Sequence, residues 1–312
     1  MNIVFFGSSN FSLYFLEHLF NKRNDVLTVI TVTDKPKGRG LKLSITPVKE
    51  FCLKNNIKVY QFDNINSVHS KETLEKLKAD LFVVVSFGQI ISKEILEIPK
   101  LFSINVHASL LPKYRGAAPI NWAIIKGEKE TGISIIKMVE KLDAGPIILQ
   151  RKIDIDITDD ASSLEKKIAY LGKELLIQVI ENIENNNLFL LPQNDKEATF
   201  APKLKKRDGL IDWSKSAEEI YNLIRGCYGW PSAFTYYNDK LLKIYKAEYL
   251  SEPQLESDYL PGQITDIMPK AIIVNCRKSK LLIKELQLEG KKRMTASEFI
   301  CGYKIKKGEI LG

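Results

Sequence analysis

The sequence predicts an α/β fold: a mostly parallel, Rossmann-like sheet domain followed by a smaller, OB-like β-barrel domain. Runs rich in Val, Ile and Phe alternate with helix-like segments in the first half of the chain, which is typical of βαβ units. Short strand-like runs separated by turns crowd the last third, as in small antiparallel barrels. The length of 312 residues is enough for two domains with separate cores.

The first domain is predicted from five strand candidates and four helix candidates. The strand candidates are residues 2–7, 26–33, 81–86, 102–107 and 132–137, and the helix candidates are residues 11–21, 47–55, 71–79 and 162–185. Parallel sheets of this kind bind ligands beyond the carboxyl ends of their strands. We therefore expect functional side chains near residues 7, 87 and 107.

The second domain is predicted to begin after a polar, basic stretch. Residues 190–207 are interpreted as a linker, with domains over residues 1–189 and 208–312. A short helix is expected at residues 217–225. The strand candidates that follow are residues 240–250, 262–268, 271–275 and 280–289.

Net charge is concentrated in the second domain. The whole chain carries +8, and residues 203–312 hold 20 Lys and Arg against 14 Asp and Glu. Such an excess indicates an anionic partner such as nucleic acid, but a solvated lysine-rich surface explains it equally well.

Cysteine usage and hydropathy point to the cytoplasm. The four cysteines, at 52, 227, 276 and 301, form no C-x-x-C pair, and the three histidines show no metal-type spacing. No apolar run approaches the length of a membrane span, and residues 1–7 are interpreted as a strand rather than a leader. We expect a cytoplasmic monomer without a structural metal or a membrane association.

The most informative stretch is residues 103–116, SINVHASLLPKYRG. In a strand, Asn105 and His107 project from one face, where an amide and an imidazole can grip one reacting carbonyl. Taken alone, Asn-x-His fits a hydrogen-bonded core histidine better than a catalytic pair. Arg115 can either brace the motif against an internal carboxylate or reach substrate, and we favour bracing.

A basic insertion follows the second strand. Residues 34–44, DKPKGRGLKLS, combine two glycines and a proline with basic side chains. Its position near the strand ends suits contact with the phosphates of a large substrate, although an ordinary surface loop has the same composition.

Residues 105–116, together with Leu142-Asp143-Ala144-Gly145, closely resemble the folate-dependent formyltransferases that use 10-formyltetrahydrofolate. The resemblance implies that Asn105, His107 and Asp143 are the catalytic trio of that family. Without it, Asp143 would be a helix or turn cap before Gly145. The family signature S-L-L-P-x-Y/W-R-G matches residues 109–116.

The resemblance also implies a direct transfer without a metal or a covalent enzyme intermediate. Asn105 would donate to the oxyanion that develops on the formyl group. His107 would donate to the same oxygen and relay a proton. Asp143 would act as a base or hold a bridging water while orienting His107.

A folate pocket is implied around the same strand ends. It would be lined by Phe87, Gly88, Gln89, Ile90, Ile91, Ser109, Leu110, Leu111, Pro112, Val139 and Leu142. A loop dense in Phe, Ile and Gly suits a flat pterin ring that also needs backbone donors and acceptors.

Three features are similar to family members that act on initiator methionyl-tRNA: the basic insertion, the basic C-terminal domain and the run EGKKRMTA at residues 289–296. The implied tRNA contacts are Lys35, Lys37, Arg39, Lys42, Lys291, Lys292 and Arg293. The alternative substrate is an amino sugar attached to a nucleotide, which relatives with the same trio formylate.

Overall fold

The computed structural model describes residues 1–23, 25–37, 42–250, 259–277 and 279–312. They form two compact units. The first unit consists of residues Met1–Pro119, Thr131–Asp154 and Glu165–Ala201, and the second of Ile120–Glu130, Ile155–Leu164 and Pro202–Gly312. Residues 190–201 of the predicted linker thus belong to the first unit. The boundaries at 189 and 207 remain predictions.

A seven-stranded sheet forms the centre of the first unit, and a short hairpin lies outside it. The strands are β1 (Ile3–Gly7), β2 (Val26–Thr31), β3 (Lys35–Lys37), β4 (Lys42–Ser44), β5 (Val59–Gln61), β6 (Leu81–Val85), β7 (Phe102–His107), β8 (Glu130–Lys137) and β9 (Ile147–Asp154). The sheet order is β5-β2-β1-β6-β7-β8-β9. Strands β5, β2, β1, β6 and β7 pair in parallel, whereas β8 is antiparallel to β7.

The helices before β7, namely α1 (Asn10–Lys22), α2 (Pro47–Lys54), α3 (Val68–Lys76) and α4 (Lys93–Leu96), lie between the parallel strands. Helix α5 (Pro119–Ile125) lies between β7 and β8, and α6 (Ala161–Glu184) follows β9. The starts of α1 and α2 follow from side-chain caps: Ser9 accepts from the Ser12 N–H and Thr46 from the Lys49 N–H. Ser9 follows the end of β1, and the Thr46 hydroxyl lies 3.0 Å from that of Thr31, the last residue of β2. Both helices therefore begin at the edge where ligands bind in such sheets.

Strands β1 and β6 are buried along their whole length, which explains their unbroken runs of Val, Phe and Leu. Strand β7 departs from this pattern because Asn105 is only half-buried, between the buried Ile104 and Val106. The polar position therefore faces the site rather than the core.

The second unit takes in most of α5 and the start of α6, and its described residues from Pro202 onward add an antiparallel sheet and two α-helices. Its elements are α7 (Ala217–Gly226), β10 (Ala233–Tyr237), β11 (Lys240–Leu250), β12 (Ile264–Met268), β13 (Ala271–Cys276), β14 (Ser279–Leu288), β15 (Met294–Thr295) and α8 (Ala296–Tyr303). The strand order is β10-β11-β14-β13-β12, with β15 beside β14. The predicted fold class, a mostly parallel α/β domain followed by a smaller β domain, is confirmed.

Several elements were not predicted. Strand β5 has three residues, and β9 carries polar residues in its second half, so neither shows a strand-like hydrophobic run. The arms of the basic insertion, predicted as a loop, pair as the hairpin β3–β4. Within the described residues, no helix combines the length and the hydropathy that crossing a membrane requires.

Three of the four thiols should resist modification in the native protein. Cys52, Cys227 and Cys276 are buried, and burial raises the pKa of each thiol to about 12, whereas Cys301 is exposed. Ellman's reagent at pH 8 should therefore titrate one thiol rapidly in native protein and four in denaturant. Rapid reaction of two or more thiols in the native state would contradict the packing described here.

Candidate active site

Asn105 and His107 lie two residues apart at the carboxyl end of β7, as the sequence predicts. Asn105 is opposite Ile136 of β8 and Val84 of β6, and His107 is the last residue of the strand. Because side chains alternate along a strand, both project toward the same face. The two functional groups are therefore fixed by strands on either side.

Asp143 reaches this face from a tight loop after β8. Its backbone is left-handed, with φ of 49°, a conformation that Asp tolerates better than most residues. The loop turns back onto β8 at Gly145, where an added Cβ would meet the Lys137 carbonyl oxygen at 1.8 Å. Only glycine permits this approach, so Gly145 sets the path that brings Asp143 back to β7.

The three predicted catalytic side chains come together around the carboxylate of Asp143. Asn105 Nδ2 donates to Oδ1 at 3.1 Å, and the backbone N–H of Gly116 donates to Oδ2 at 2.9 Å. The same Oδ2 lies 3.6 Å from Nδ1 of His107. The His107 and Asp143 side chains are only 6% and 8% exposed, so their interaction is largely shielded from water.

The ring orientation of His107 decides which nitrogen is available for chemistry. Nε2 lies 2.9 Å from the carbonyl oxygen of Tyr114. A carbonyl can only accept, so Nε2 carries a proton and donates. Nδ1 is therefore the ring nitrogen that can exchange a proton with the Asp143 carboxylate.

The signature loop after β7 is held by buried hydrogen bonds from the neighbouring strands. Ser134 of β8 donates to the Ser109 carbonyl at 2.6 Å and accepts from the Leu111 N–H at 3.1 Å. Gln150 of β9 donates to the Leu111 carbonyl at 2.8 Å. The Ser109 hydroxyl is itself occupied, because it donates to the Lys113 carbonyl at 2.6 Å. The wall predicted for the folate is thus rigidly supported.

Arg115 braces the site, as favoured from the sequence. Its side chain is 1% exposed, and Nη1 pairs with Asp195 at 2.8 Å. Nε and Nη2 donate to Gln193 Oε1 at 3.1 and 2.7 Å. The segment that carries these partners also donates the Ala201 N–H to the Arg115 carbonyl, at 2.7 Å.

The predicted pocket residues after β6 divide into buried and exposed groups. Phe87 is buried edge-on against Phe6, so its backbone rather than its ring can line a ligand site. The Gln89 side chain accepts a hydrogen bond from the Ile65 N–H and donates one to the Phe62 carbonyl, so both of its polar atoms already have partners. Gly88 is exposed and has φ of 93°, and an added Cβ would make only an ordinary contact with Val32, at 3.8 Å.

Three large apolar side chains among the predicted pocket residues are exposed. Ile90 is 78%, Leu142 59% and Val139 41% exposed, whereas Ile91 is buried. Val139 and Leu142 lie in the loop that carries Asp143, and exposed apolar side chains near such polar groups are typical of a ligand site. The assignment of these residues to a folate pocket remains a prediction.

Three of the four predicted tRNA contacts in the first unit, Lys35, Lys37 and Lys42, lie on strands β3 and β4. Lys35 is exposed, and Lys37 of β3 lies opposite Lys42 of β4 in the strand register. Arg39 and the side chains of Lys37 and Lys42 lie outside the described part of the chain. At the base, Lys49 Nζ donates to Asp34 at 2.6 Å, and this bond lowers the pKa of that carboxyl group.

The predicted tRNA contacts in the second unit follow β14. Lys291 and Lys292 are exposed. Arg293 instead donates to Glu285 from Nε at 2.8 Å and stacks over the Tyr245 ring at 4.5 Å. Its charge is thus partly neutralised within the protein.

Four residues that organise the site were not found from the sequence: Ser134, Gln150, Gln193 and Asp195. The first two lie in strands, where their spacing resembles ordinary alternation. The last two lie in the segment interpreted as a linker. Their partners are distant in sequence, Arg115 being 78 residues from Gln193, so no local pattern marks them.

Two family descriptions cover most of the chain. Formyl transferase matches residues 1–180, and formyl transferase, C-terminal domain, matches residues 203–304. Curated relatives match over the full length of both chains. The methionyl-tRNA formyltransferases of Alkaliphilus oremlandii and Acetivibrio thermocellus are 46% and 44% identical to this chain.

The fold also occurs in solved structures of lower identity. An N-formyltransferase from Helicobacter canadensis, in complex with folinic acid and dTDP-3-aminofucose, superposes with a TM-score of 0.68. The match covers 91% of this chain and 98% of the other, at 21% identity. It therefore shows the shared fold.

Replacing Gly145 should destabilise the site loop. Gly145→Ala places a Cβ against the Lys137 carbonyl, so the loop must shift, at a cost of about 1–3 kcal/mol. The thermal transition of the purified protein should fall by several degrees, as measured by calorimetry. Gly302→Ala is the matched control, since nothing lies within 4 Å of the added atom, and it should leave the transition unchanged or slightly higher. Equal transitions for both variants would contradict the proposed role of Gly145.

Proposed function

The chain belongs to the methionyl-tRNA formyltransferases, and we propose that it moves the formyl group of 10-formyltetrahydrofolate to the α-amino group of methionine on initiator tRNA. The observation that carries this proposal is the meeting of Asn105, His107 and Asp143 at the end of β7. Amide, imidazole and carboxylate are the groups that an amine attack on a formyl carbon requires.

Asn105 is proposed to stabilise the oxyanion. Its Nδ2 carries two N–H groups, of which one donates to Asp143 Oδ1. The second can donate to the formyl oxygen as negative charge develops there. The half-buried position of Asn105 suits this role, because the amide is held on one side and open to substrate on the other.

His107 and Asp143 are proposed to hold and move the proton. When the amine attacks, a nitrogen–carbon bond forms and the attacking nitrogen must lose a proton. The carboxylate of Asp143 can accept it directly or through Nδ1 of His107, and the pair can return it to the departing folate nitrogen. Any donation from His107 to the formyl oxygen must come from Nδ1, because Nε2 already donates to Tyr114.

The formyl donor, 10-formyltetrahydrofolate, carries a flat pterin ring that the site would have to bind. Ile90, Val139 and Leu142 offer exposed apolar surface for it, and the backbone at Gly88 is open. Ser109 to Pro112 would close the formyl end. Support for this pocket comes from the rigid hydrogen bonding of that loop by Ser134 and Gln150.

The basic residues are proposed to bind the tRNA. Lys35 on the hairpin and Lys291 and Lys292 after β14 are exposed and can meet phosphates. Arg293 is a weaker candidate, because Glu285 occupies its guanidinium. Arg39, Lys37 and Lys42 keep their predicted roles.

The rival function is formylation of an amino sugar linked to a nucleotide. It is favoured by the fold shared with the Helicobacter canadensis enzyme. The basic hairpin and the full-length identity of 44–46% to methionyl-tRNA formyltransferases favour the tRNA substrate.

Asn105→Ala should abolish most turnover while binding is kept. Loss of one oxyanion donor costs about a hundredfold or more in kcat. Formyl transfer would be followed with 10-formyltetrahydrofolate and charged initiator tRNA, with charged elongator tRNA, free methionine and a nucleotide-linked amino sugar as comparisons. Lys196→Ala, an exposed change outside the site, is the control and should leave kcat unchanged.

Transfer by the unmodified protein to the amino sugar but not to the initiator tRNA would contradict the proposed substrate. Wild-type turnover in Asn105→Ala would contradict the role of the amide.

Removing exposed lysines should weaken tRNA use without slowing chemistry. The Lys291→Ala, Lys292→Ala double variant and Lys35→Ala should each raise KM for tRNA several-fold at low salt. The difference from the unmodified protein should shrink as salt rises, because each lost phosphate contact also reduces the salt dependence of binding. Steady-state kinetics at two salt concentrations measure this. Lys54→Ala removes an exposed lysine outside these predicted contacts, one that pairs with Glu50, and should leave KM unchanged. An unaltered KM in the double variant would remove these lysines from the tRNA surface.

A further inference from the structure

A single glutamine links the buried arginine of the signature to the loop that carries Asp143. Gln193 Oε1 accepts two hydrogen bonds from Arg115, one from Nε and one from Nη2. Its Nε2 donates to two backbone carbonyls of the loop, those of Asp143 at 2.8 Å and Gly145 at 2.7 Å. The amide thus connects Arg115 of the signature to the Asp143 loop through their polar groups, without touching the proposed reaction centre.

We propose that Gln193 is a positioning residue that holds the Asp143 carboxylate against His107, an inference that rests on the proposed function. The distance of 3.6 Å between Oδ2 and Nδ1 is longer than a hydrogen bond, so proton exchange depends on small movements of the loop. The left-handed backbone of Asp143 makes its carboxylate position sensitive to the peptide groups on either side. Gln193 holds the carbonyl of Asp143 itself.

The chemistry of the two ends selects glutamine. A guanidinium only donates, so the group that faces Arg115 must accept. The two loop carbonyls only accept, so the group that faces them must donate. The carboxamide of Gln193 provides one acceptor and one donor group at the same side-chain end. Glutamate would keep the acceptor and lose the donor.

Asp195, two residues after Gln193, makes a second and weaker connection between Arg115 and the Asp143 loop. Asp195 accepts from Arg115 through Oδ1 and pairs through Oδ2 with Lys141, in the loop that leads to Asp143. Asp195 is 58% and Lys141 63% exposed, so solvent screens this pair. Gln193 therefore carries most of the restraint on the loop.

The test compares Gln193→Glu and Gln193→Ala with the unmodified protein and with the Lys196→Ala control. Gln193→Glu should keep a thermal transition near that of the unmodified protein, because it still pairs with Arg115. Its kcat should fall about ten- to a hundredfold, since a misplacement of about 1 Å at reacting groups costs that much, while KM for both substrates stays within about threefold. Gln193→Ala should lose similar kcat and also melt earlier.

A wild-type kcat in Gln193→Glu would overturn the inference, as would a loss in both variants that only matches their unfolded fraction. The imidazole nitrogen resonances of His107 provide a readout independent of turnover. They should shift in Gln193→Glu and not in Lys196→Ala, and unchanged shifts in both would overturn the inference. Absence of transfer by the unmodified protein, with the His107 shift present, would instead contradict the proposed function alone.

Discussion

The carboxylate of Asp143 is the interaction on which the site depends. It accepts from the amide of Asn105 in β7 and from the Gly116 N–H at the end of the signature loop, and it faces Nδ1 of His107. These groups come from segments up to 38 residues apart, so one short side chain ties the strand to two loops. Any displacement of the carboxylate would alter all three contacts together.

Other residues of the first unit position that carboxylate by holding the backbone of the two loops around it. Gly145 permits the loop to pass close to Lys137, and Gln193 holds the loop from its other side. Ser134 and Gln150 fix the signature loop that supplies Gly116. Polar side chains satisfy each other inside the fold here, which favours one arrangement of the site over looser ones.

How much of this could be predicted depends on how local each signal is. The pairing of Asn105 with His107 follows from strand periodicity, and the parallel sheet follows from alternating hydrophobic runs. Asp143 was identified only through resemblance to a family, because its left-handed turn and the contact at Gly145 leave no periodic pattern. Gln193 could not be predicted, since an isolated glutamine in a polar stretch becomes informative only when Arg115 is placed beside it. The hairpin β3–β4 was missed because glycine, proline and lysine predict a loop.

We assign proton exchange to Nδ1 of His107, because Nε2 donates to the Tyr114 carbonyl. ¹⁵N NMR of the imidazole nitrogens tests this assignment and is practical in a chain with three histidines. His107→Asn identifies the signals of this ring. We expect an Nε2 resonance typical of a protonated nitrogen when the ring is neutral, with the lone pair on Nδ1. A neutral ring with its proton on Nδ1 and the lone pair on Nε2 would contradict the assignment.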